Sequence, residues 1–169
     1  VIARRFNDRY SPGAAFFPEP DALLSDAPVL LGLDGRKMSK SRGNTLDLRA
    51  SEDETARRIR GARTDAEPEI TYEPDGRPEV SNLVLLAALC LDRNAGDVAA
   101  DVGGGGATAL KRLLTDAVNE RLRPIRTRRA ELAGDPAYLR EVLRDGVERA
   151  RDLAGGTLTT VRRLMRTIY

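Results

Sequence analysis

Apolar residues recur every three or four positions through the last third of the chain, which is the spacing of one helix face. One such stripe runs from Leu110 to Ile125, and a second runs from Leu139 to Ile168. Asp135 followed by Pro136 is a typical helix start and separates the two stripes. The pattern predicts two long helices with buried stripes, the first kinked or interrupted at Pro124.

Shorter helices are predicted earlier in the chain. Residues 1–10 have the spacing of the end of an amphipathic helix. Ser51, with Glu54 three positions later, forms a capping box that should start a second helix. The apolar run at residues 80–91 predicts a buried helix, and residues 95–102 a short one. We therefore expect a helical bundle over roughly the last 120 residues.

One strand and one loop are predicted ahead of these helices. Val29, Leu30 and Leu31 form a short apolar run that is typical of a buried strand. Several glycines and Asn44 follow, so residues 32–44 should form a mobile loop. The expected fold class is therefore mostly α, with one short strand and its loop before the bundle.

The composition indicates a globular chain and excludes several kinds of chemistry. Of 169 residues, 41% are hydrophobic and 32% are charged, enough to bury a core. The absence of histidine excludes Ser-His-Asp catalysis and the usual histidine zinc sites, and we expect no bound metal. We find neither a signal peptide nor an apolar run approaching the roughly 18 residues of a membrane span. The single cysteine, Cys90, fits a small buried hydrophobe and a cytoplasmic protein.

Positive charge is concentrated near the C-terminus. Residues 107–169 carry 14 basic and 8 acidic side chains, although the whole chain has a net charge of only +2. Two arginine clusters flank the apolar stripes, and they are candidates for RNA contact: Arg126, Arg128, Arg129, Arg162, Arg163 and Arg166. An ordinary solvated helix face explains them equally well. The glycine run 103–106 lacks the Gly-Lys-Ser/Thr that ends a P-loop, so we interpret it as a connection between helices.

The lysines are the most informative residues. The chain has three, and two of them, Lys37 and Lys40, lie in the segment GLDGRKMSKSRGN. Arginine serves almost everywhere else, so these positions indicate a need for a compact, mobile ammonium group. A glycine-bounded loop that carries two ammonium groups and two hydroxyls can close over a triphosphate. The alternative, a basic surface loop without a function, leaves this combination unexplained.

The segment KMSKS resembles one of the two signatures of the class I aminoacyl-tRNA synthetases. Nearly the whole chain is similar, in order, to the C-terminal half of the tryptophanyl-tRNA synthetase family. The segments that carry the resemblance are ARRFNDRY, FPEPDALLSDAP, GLDGRKMSKSRGNTLDL, ARTDAEPEITYEP, RPEVSNLVLLAAL, LKRLLTDAVNERLRPIRTRRAEL and DPAYLREVLRDGVERAR. The resemblance implies that residues 1–48 are the end of a Rossmann-like catalytic domain and residues 49–169 a helical anticodon-binding domain.

The resemblance also implies a reaction and its residues. The family activates tryptophan with ATP, supplied with Mg²⁺, and transfers it to tRNA(Trp), usually as a homodimer. Lys37 and Lys40 would be catalytic, and Lys40 would stabilise the departing pyrophosphate. The ATP-binding residues would be Val29, Lys37, Met38, Ser39, Lys40 and Ser41, with Val29 beside the adenine.

Part of the family's site has no counterpart in this chain. Its first signature, HIGH, the tryptophan pocket, a GxDQ segment and most of the dimer interface belong to the other half. A chain without histidine cannot contain HIGH. We therefore expect the chain alone to be catalytically incomplete, its N-terminal half missing or supplied by another chain. A non-catalytic paralogue that binds tRNA or another nucleic acid is the alternative.

Overall fold

The computed structural model describes residues 1–25 and 27–167, and it confirms a mostly helical fold. Six α-helices and two short 3₁₀-helices occur in the described part of the chain. The α-helices are α1 (Ile2–Tyr10), α2 (Glu52–Arg60), α3 (Pro78–Leu91), α4 (Ala95–Val102), α5 (Gly106–Ala133) and α6 (Pro136–Leu164). The 3₁₀-helices are Lys40–Arg42 and Gly103–Gly105. No helix among these residues is long and apolar enough to cross a membrane.

The predicted helix starts are confirmed at the atomic level. Ser51 Oγ accepts a hydrogen bond from the backbone N–H of Glu54 at 3.1 Å. Asp135 Oδ1 accepts one from the backbone N–H of Tyr138 at 3.0 Å, with Pro136 at the first helical position. Of the kink or interruption predicted at Pro124, the interruption is wrong, because α5 continues through this residue. Proline removes a single backbone donor there, and the buried residues of the preceding turns hold the helix.

Contacts divide the chain into two compact units, and residues Ala27–Glu131 form the larger one. Its core joins α2, α3, α4 and α5 through side chains that are almost wholly inaccessible to solvent. The main members are Ile59, Val80, Leu83, Val84, Ala87, Val98, Leu110, Leu114, Val118 and Leu122. The boundary predicted between residues 48 and 49 falls inside this unit. The division into a catalytic remnant and an anticodon-binding domain stays a prediction.

The second unit comprises Val1–Asp26 and Leu132–Tyr169. The side chain of Asn7, on α1, closes the turn after that helix by accepting from the N–H groups of Phe16 and Phe17. No described residue of α6 is buried, so the predicted burial of its apolar stripe is wrong. Leu143 is 69% exposed, because the described residues of this unit do not cover the stripe. Ile168, the last residue of that stripe, lies outside the described residues.

The predicted strand at residues 29–31 is also not formed. Leu31 makes one isolated antiparallel bridge to Lys37, and no ladder extends from it in the described residues. A strand requires a neighbouring strand for its backbone groups. Here the side chain of Asn82, on α3, takes that place: it accepts from Leu31 N–H at 2.8 Å and donates to Leu31 C=O at 3.1 Å.

Candidate nucleotide-binding loop

The loop at residues 32–44 is built from two consecutive turns. In the first, Gly32 N–H donates to Arg36 C=O at 2.7 Å, which brings Lys37 opposite Leu31. In the second, the 3₁₀-helix runs from Lys40 to Arg42, and Gly43 caps it with a φ of 65°, in the left-handed region that favours glycine. Lys37 and Lys40 are both solvent-exposed. The two ammonium groups predicted to bind phosphate are therefore accessible, one from each turn.

Asn44 connects the two turns. Its side-chain Oδ1 accepts from Ser39 N–H at 2.8 Å, and its Nδ2 donates to Asp34 Oδ1 at 2.7 Å and to Lys37 C=O at 3.2 Å. Its backbone C=O accepts from Leu33 N–H at 2.9 Å. The side chain is buried, and these partners satisfy both polar atoms of its amide. The loop was predicted to be mobile, but this network fixes its base.

The hydroxyl groups of the loop face each other. Ser39 Oγ and Ser41 Oγ are 2.8 Å apart, within hydrogen-bond distance. Ser39 and Met38 are half-buried, whereas Ser41 is exposed like the two lysines. Together, the five residues of KMSKS present two exposed cations and the hydroxyl of an exposed serine, and the backbone of Ser39 ties them to Asn44. Such an arrangement can bind an oxyanion.

The carboxylate of Asp34 belongs to the same network. The hydrogen bond from Asn44 lowers the pKa of Asp34, and the backbone N–H of Arg36, which donates at 3.0 Å, lowers it further. Asp34 is therefore an anion at neutral pH and accepts from both donors. Asp34 therefore has a structural role as a hydrogen-bond acceptor beside the cationic KMSKS segment.

Arg58, on α2, holds the far end of the loop. Its Nη1 donates hydrogen bonds to Gly43 C=O, at an N···O distance of 3.3 Å, and to Thr45 C=O, at 3.2 Å. The same guanidinium pairs with Glu54 Oε1, one turn earlier on α2, at 3.0 Å. A planar guanidinium suits these simultaneous bonds better than an ammonium would. The loop is thus attached to the first helix that follows it.

Val29 is predicted to lie beside adenine, and it borders a small cleft. The cleft has a volume of about 120 Å³. Leu31 also lines it, and the other lining residues come from the segment before α3 and from α3 itself: Tyr72, Pro74, Pro78, Ser81, Asn82 and Leu85. Val29 is 72% exposed, so one of its faces is free for contact. Asn82 fixes the backbone beside it through Leu31.

The six arginines predicted to contact RNA have different surroundings. Arg126 is half-buried and donates to Thr55 Oγ1 at 2.8 Å and to Asn119 Oδ1 at 2.9 Å, joining α5 to α2. Arg128 pairs with Glu131 at 2.9 Å. The other four side chains are exposed: Arg129, Arg162, Arg163 and Arg166. RNA contact by these residues stays a prediction.

Three residues of the site escaped the sequence analysis as functional candidates. Asn44 had been interpreted only as a loop former, and Arg58 and Asn82 only as parts of helices. Their contacts with the loop and with Leu31 span 15 and 51 residues of sequence, respectively. No local pattern signals such contacts. For Asn44, its place directly after KMSKSRG was the one available indication.

The loop and the helical unit after it match a known class of enzymes. The family model described as "tRNA synthetases class I (W and Y)" matches residues 1–123. The chain therefore belongs to the class I aminoacyl-tRNA synthetases of the tryptophan and tyrosine group.

Its relatives are on the tryptophan side of that group. It is 38% identical to a tryptophan–tRNA ligase of Caulobacter vibrioides over 97% of this chain and 50% of that protein. It is 39% identical to the ligase of Treponema pallidum over 97% of this chain and 49% of that protein. The chain thus spans about half the length of the curated relatives it matches.

Solved structures agree with this assignment. Tryptophanyl-tRNA synthetase from Campylobacter jejuni, complexed with ADP and tryptophan, is 28% identical with a TM-score of 0.68, over 97% of this chain and 51% of that one. The synthetase from Mycoplasma pneumoniae has a TM-score of 0.77 at 20% identity, over 97% and 50% of the two chains. The second comparison establishes the fold alone.

Proposed function

We propose that this chain is the ATP-loop and helical portion of a tryptophan–tRNA ligase. The observation that carries the proposal is the KMSKS segment, with exposed Lys37 and Lys40 on a loop whose base Asn44 fixes. Similarity to tryptophan–tRNA ligases over 97% of the chain supports it. The activity belongs to the whole enzyme, of which this chain supplies one part.

In the proposed reaction, a carboxylate oxygen of tryptophan attacks the α-phosphorus of ATP, and pyrophosphate leaves with the electron pair of the broken P–O bond. Negative charge grows on the leaving oxygens. The ammonium of Lys40 stabilises that charge, and Lys37 binds the same phosphates from the neighbouring turn. Mg²⁺ enters with ATP as the substrate complex. Ser39 and Ser41 offer hydroxyl donors, Met38 lies between the two lysines as a further ATP-binding residue, and Val29 contacts adenine.

The second half-reaction passes tryptophan to tRNA(Trp). In the proposal the helices after residue 49 bind that tRNA in the cytoplasm, and the complete enzyme works as a homodimer. The predicted arginine contacts act on phosphates. Because Arg126 is already bonded to Thr55 and Asn119, the exposed Arg129, Arg162, Arg163 and Arg166 are the better candidates for direct contact.

The test is tryptophan-dependent ATP–pyrophosphate exchange. The chain alone should show none, and activity should appear when the N-terminal half of a related synthetase is added. Lys40→Ala should then lower the rate by roughly 10²–10³-fold, the effect of removing one preorganised charge. Arg5→Ala, an exposed cation on α1, is the charge control and should keep the full rate.

Two outcomes would contradict this assignment. Exchange by the pure chain alone would show that it is complete, and full activity of Lys40→Ala would remove the pyrophosphate role. If no N-terminal half restores exchange while tRNA still binds, the chain is the non-catalytic paralogue. Its tRNA affinity must then fall with salt, because arginine–phosphate contacts release counterions.

A further inference from the structure

A groove between α2 and the first turns of α5 lies outside the ATP loop. It has a volume of about 330 Å³ and opens to solvent. Ala56 and Ala107 give it an apolar floor, one from each helix. Three of its seven lining residues are cations: Arg60, Lys111 and Arg112. Thr108 and Thr115 complete it, and none of the lining residues described is acidic.

The cations of this groove are not neutralised by carboxylates. Within the described ranges, ion pairs involve other arginines, and none includes Arg60, Lys111 or Arg112. Arg60 and Arg112 are exposed, whereas Lys111 is half-buried and donates to Arg60 C=O at 3.2 Å. That bond occupies one of three ammonium hydrogens, so Lys111 can still donate to a ligand. The groove therefore concentrates positive charge over an apolar floor.

This combination fits one kind of ligand. Arginine forks match phosphate oxygens bidentately, and an ammonium adds a point charge. A floor of methyl groups suits the face of a ribose or an unstacked base, which a paired duplex would not present. Guanidinium planes at the rim can stack on such a base. We propose that the α2/α5 groove binds an unpaired stretch of RNA, with phosphates on Arg60, Lys111 and Arg112.

The inference rests on the proposed function, since a tRNA is the RNA that a synthetase would meet. It also assigns contacts to residues outside the two arginine clusters at 126–129 and 162–166. A tRNA offers unpaired loops as well as duplex stems. The groove thus predicts competition by a single-stranded oligoribonucleotide and little competition by a short RNA duplex of equal charge.

Fluorescence anisotropy of labelled tRNA(Trp) transcript with the full 169-residue chain tests this groove across a salt series. The variant Arg60→Gln/Lys111→Gln/Arg112→Gln should bind at least tenfold more weakly. Its log–log salt slope should be smaller by about 2, since each single-strand phosphate contact contributes roughly 0.7. The control Arg140→Gln/Arg144→Gln/Arg151→Gln removes the same charge from exposed positions of α6. It should change the affinity by less than twofold and leave the salt slope unchanged.

A second variant separates loss of RNA contact from loss of structure, because Lys111 also donates a hydrogen bond to the backbone of α2. Arg60→Gln/Arg112→Gln keeps that bond and should still lower the salt slope by about 1.4, roughly two-thirds of the change expected for the triple variant. Equal affinities and slopes for groove and control variants would overturn the inference while leaving the proposed ligase intact. No tRNA binding by the unaltered chain would overturn the groove and the tRNA part of the proposal, but ATP–pyrophosphate exchange would still report separately on the ATP loop.

Discussion

Gly32 and Asn44 approach so closely that any side chain at position 32 would collide with the amide of Asn44. A Cβ added to Gly32 would lie 2.2 Å from Nδ2 of Asn44 and 2.4 Å from its Cγ, well inside van der Waals contact. The amide of Asn44 is also the group that joins the two turns of the loop at residues 32–44. Glycine at the first position is therefore a condition for asparagine at the second.

Gly32→Ala should loosen the loop without unfolding the helical core. The added methyl would displace the amide of Asn44 and break its bond to Ser39 N–H. We expect a loss of about 1–3 kcal/mol in the free energy of unfolding, as for other overpacked sites. Urea unfolding measures that loss, and hydrogen exchange at Ser39 should accelerate. Gly76→Ala is the control, since a Cβ there meets nothing closer than 3.5 Å. Equal stability of the two variants would show that the loop absorbs the methyl.

Asn44→Asp should reverse the pH dependence of the loop. In the unaltered chain the pKa of Asp34 is lowered, chiefly by the bond from Asn44, so its stabilising contribution is present above the unfolded pKa and lost as acid protonates it. A carboxylate at position 44 would face Asp34 without a hydrogen to donate. Both pKa values would then rise, and stability would fall as pH increases through them.

The measurement for that variant is the free energy of unfolding between pH 3 and pH 7. Asn94→Asp is a matched control, because Asn94 caps α4 by accepting from Gly96 N–H, a role that a carboxylate also fills. The control should therefore lose stability as pH falls, the direction opposite to that expected for Asn44→Asp. A flat profile for Asn44→Asp would mean that the two carboxylates separate.

The sequence predicted those parts of the molecule that depend on nearby residues. Ser51 and Asp135 were identified as helix caps because capping joins groups three positions apart. The stripe of α6 was predicted buried because periodicity shows which residues share a face, whereas burial depends on what covers that face. Asn82 could not be assigned, since its bonds to Leu31 join residues 51 positions apart. The KMSKS loop was found from composition and motif, but its support by Asn44 required the structure.

Asn82→Leu should detach residues 29–31 from α3. The side-chain amide of Asn82 hydrogen-bonds both the N–H and the C=O of Leu31, and leucine would leave these two groups without those partners. Each unsatisfied buried group costs roughly 1–3 kcal/mol, less where water can reach it. Nuclear magnetic resonance should show fast hydrogen exchange at Leu31. Asn82→Asp keeps the acceptor and loses the donor, so its effect should be intermediate. If Asn82→Leu left Leu31 protected, another group would have to hold that backbone.

Arg77 and Asp65 should contribute a measurable acid dependence to stability. Arg77 donates from Nη2 and Nε to the two Asp65 oxygens at 2.7 and 2.8 Å, and from Nη1 to Glu69 C=O at 2.7 Å. These bonds close the connection between α2 and α3. The bond from Arg77 is the main cause of the lowered pKa of Asp65. The stabilisation is therefore full above the unfolded pKa and disappears as pH falls through the lower folded value.

Arg77→Gln should remove that dependence and cost about 1 kcal/mol near pH 7, because half-exposed pairs are partly screened. Urea unfolding at pH 3 to pH 7, with Asp65→Asn and the double variant, gives the coupling energy. Arg49→Gln is the control: Arg49 is 70% exposed and pairs with Asp47 only two positions away, so this pair joins no distant segments and is screened by solvent. Its effect should be near zero. A weak coupling between Arg77 and Asp65 would show that Arg77 acts mainly through Glu69 C=O and Thr71 Oγ1.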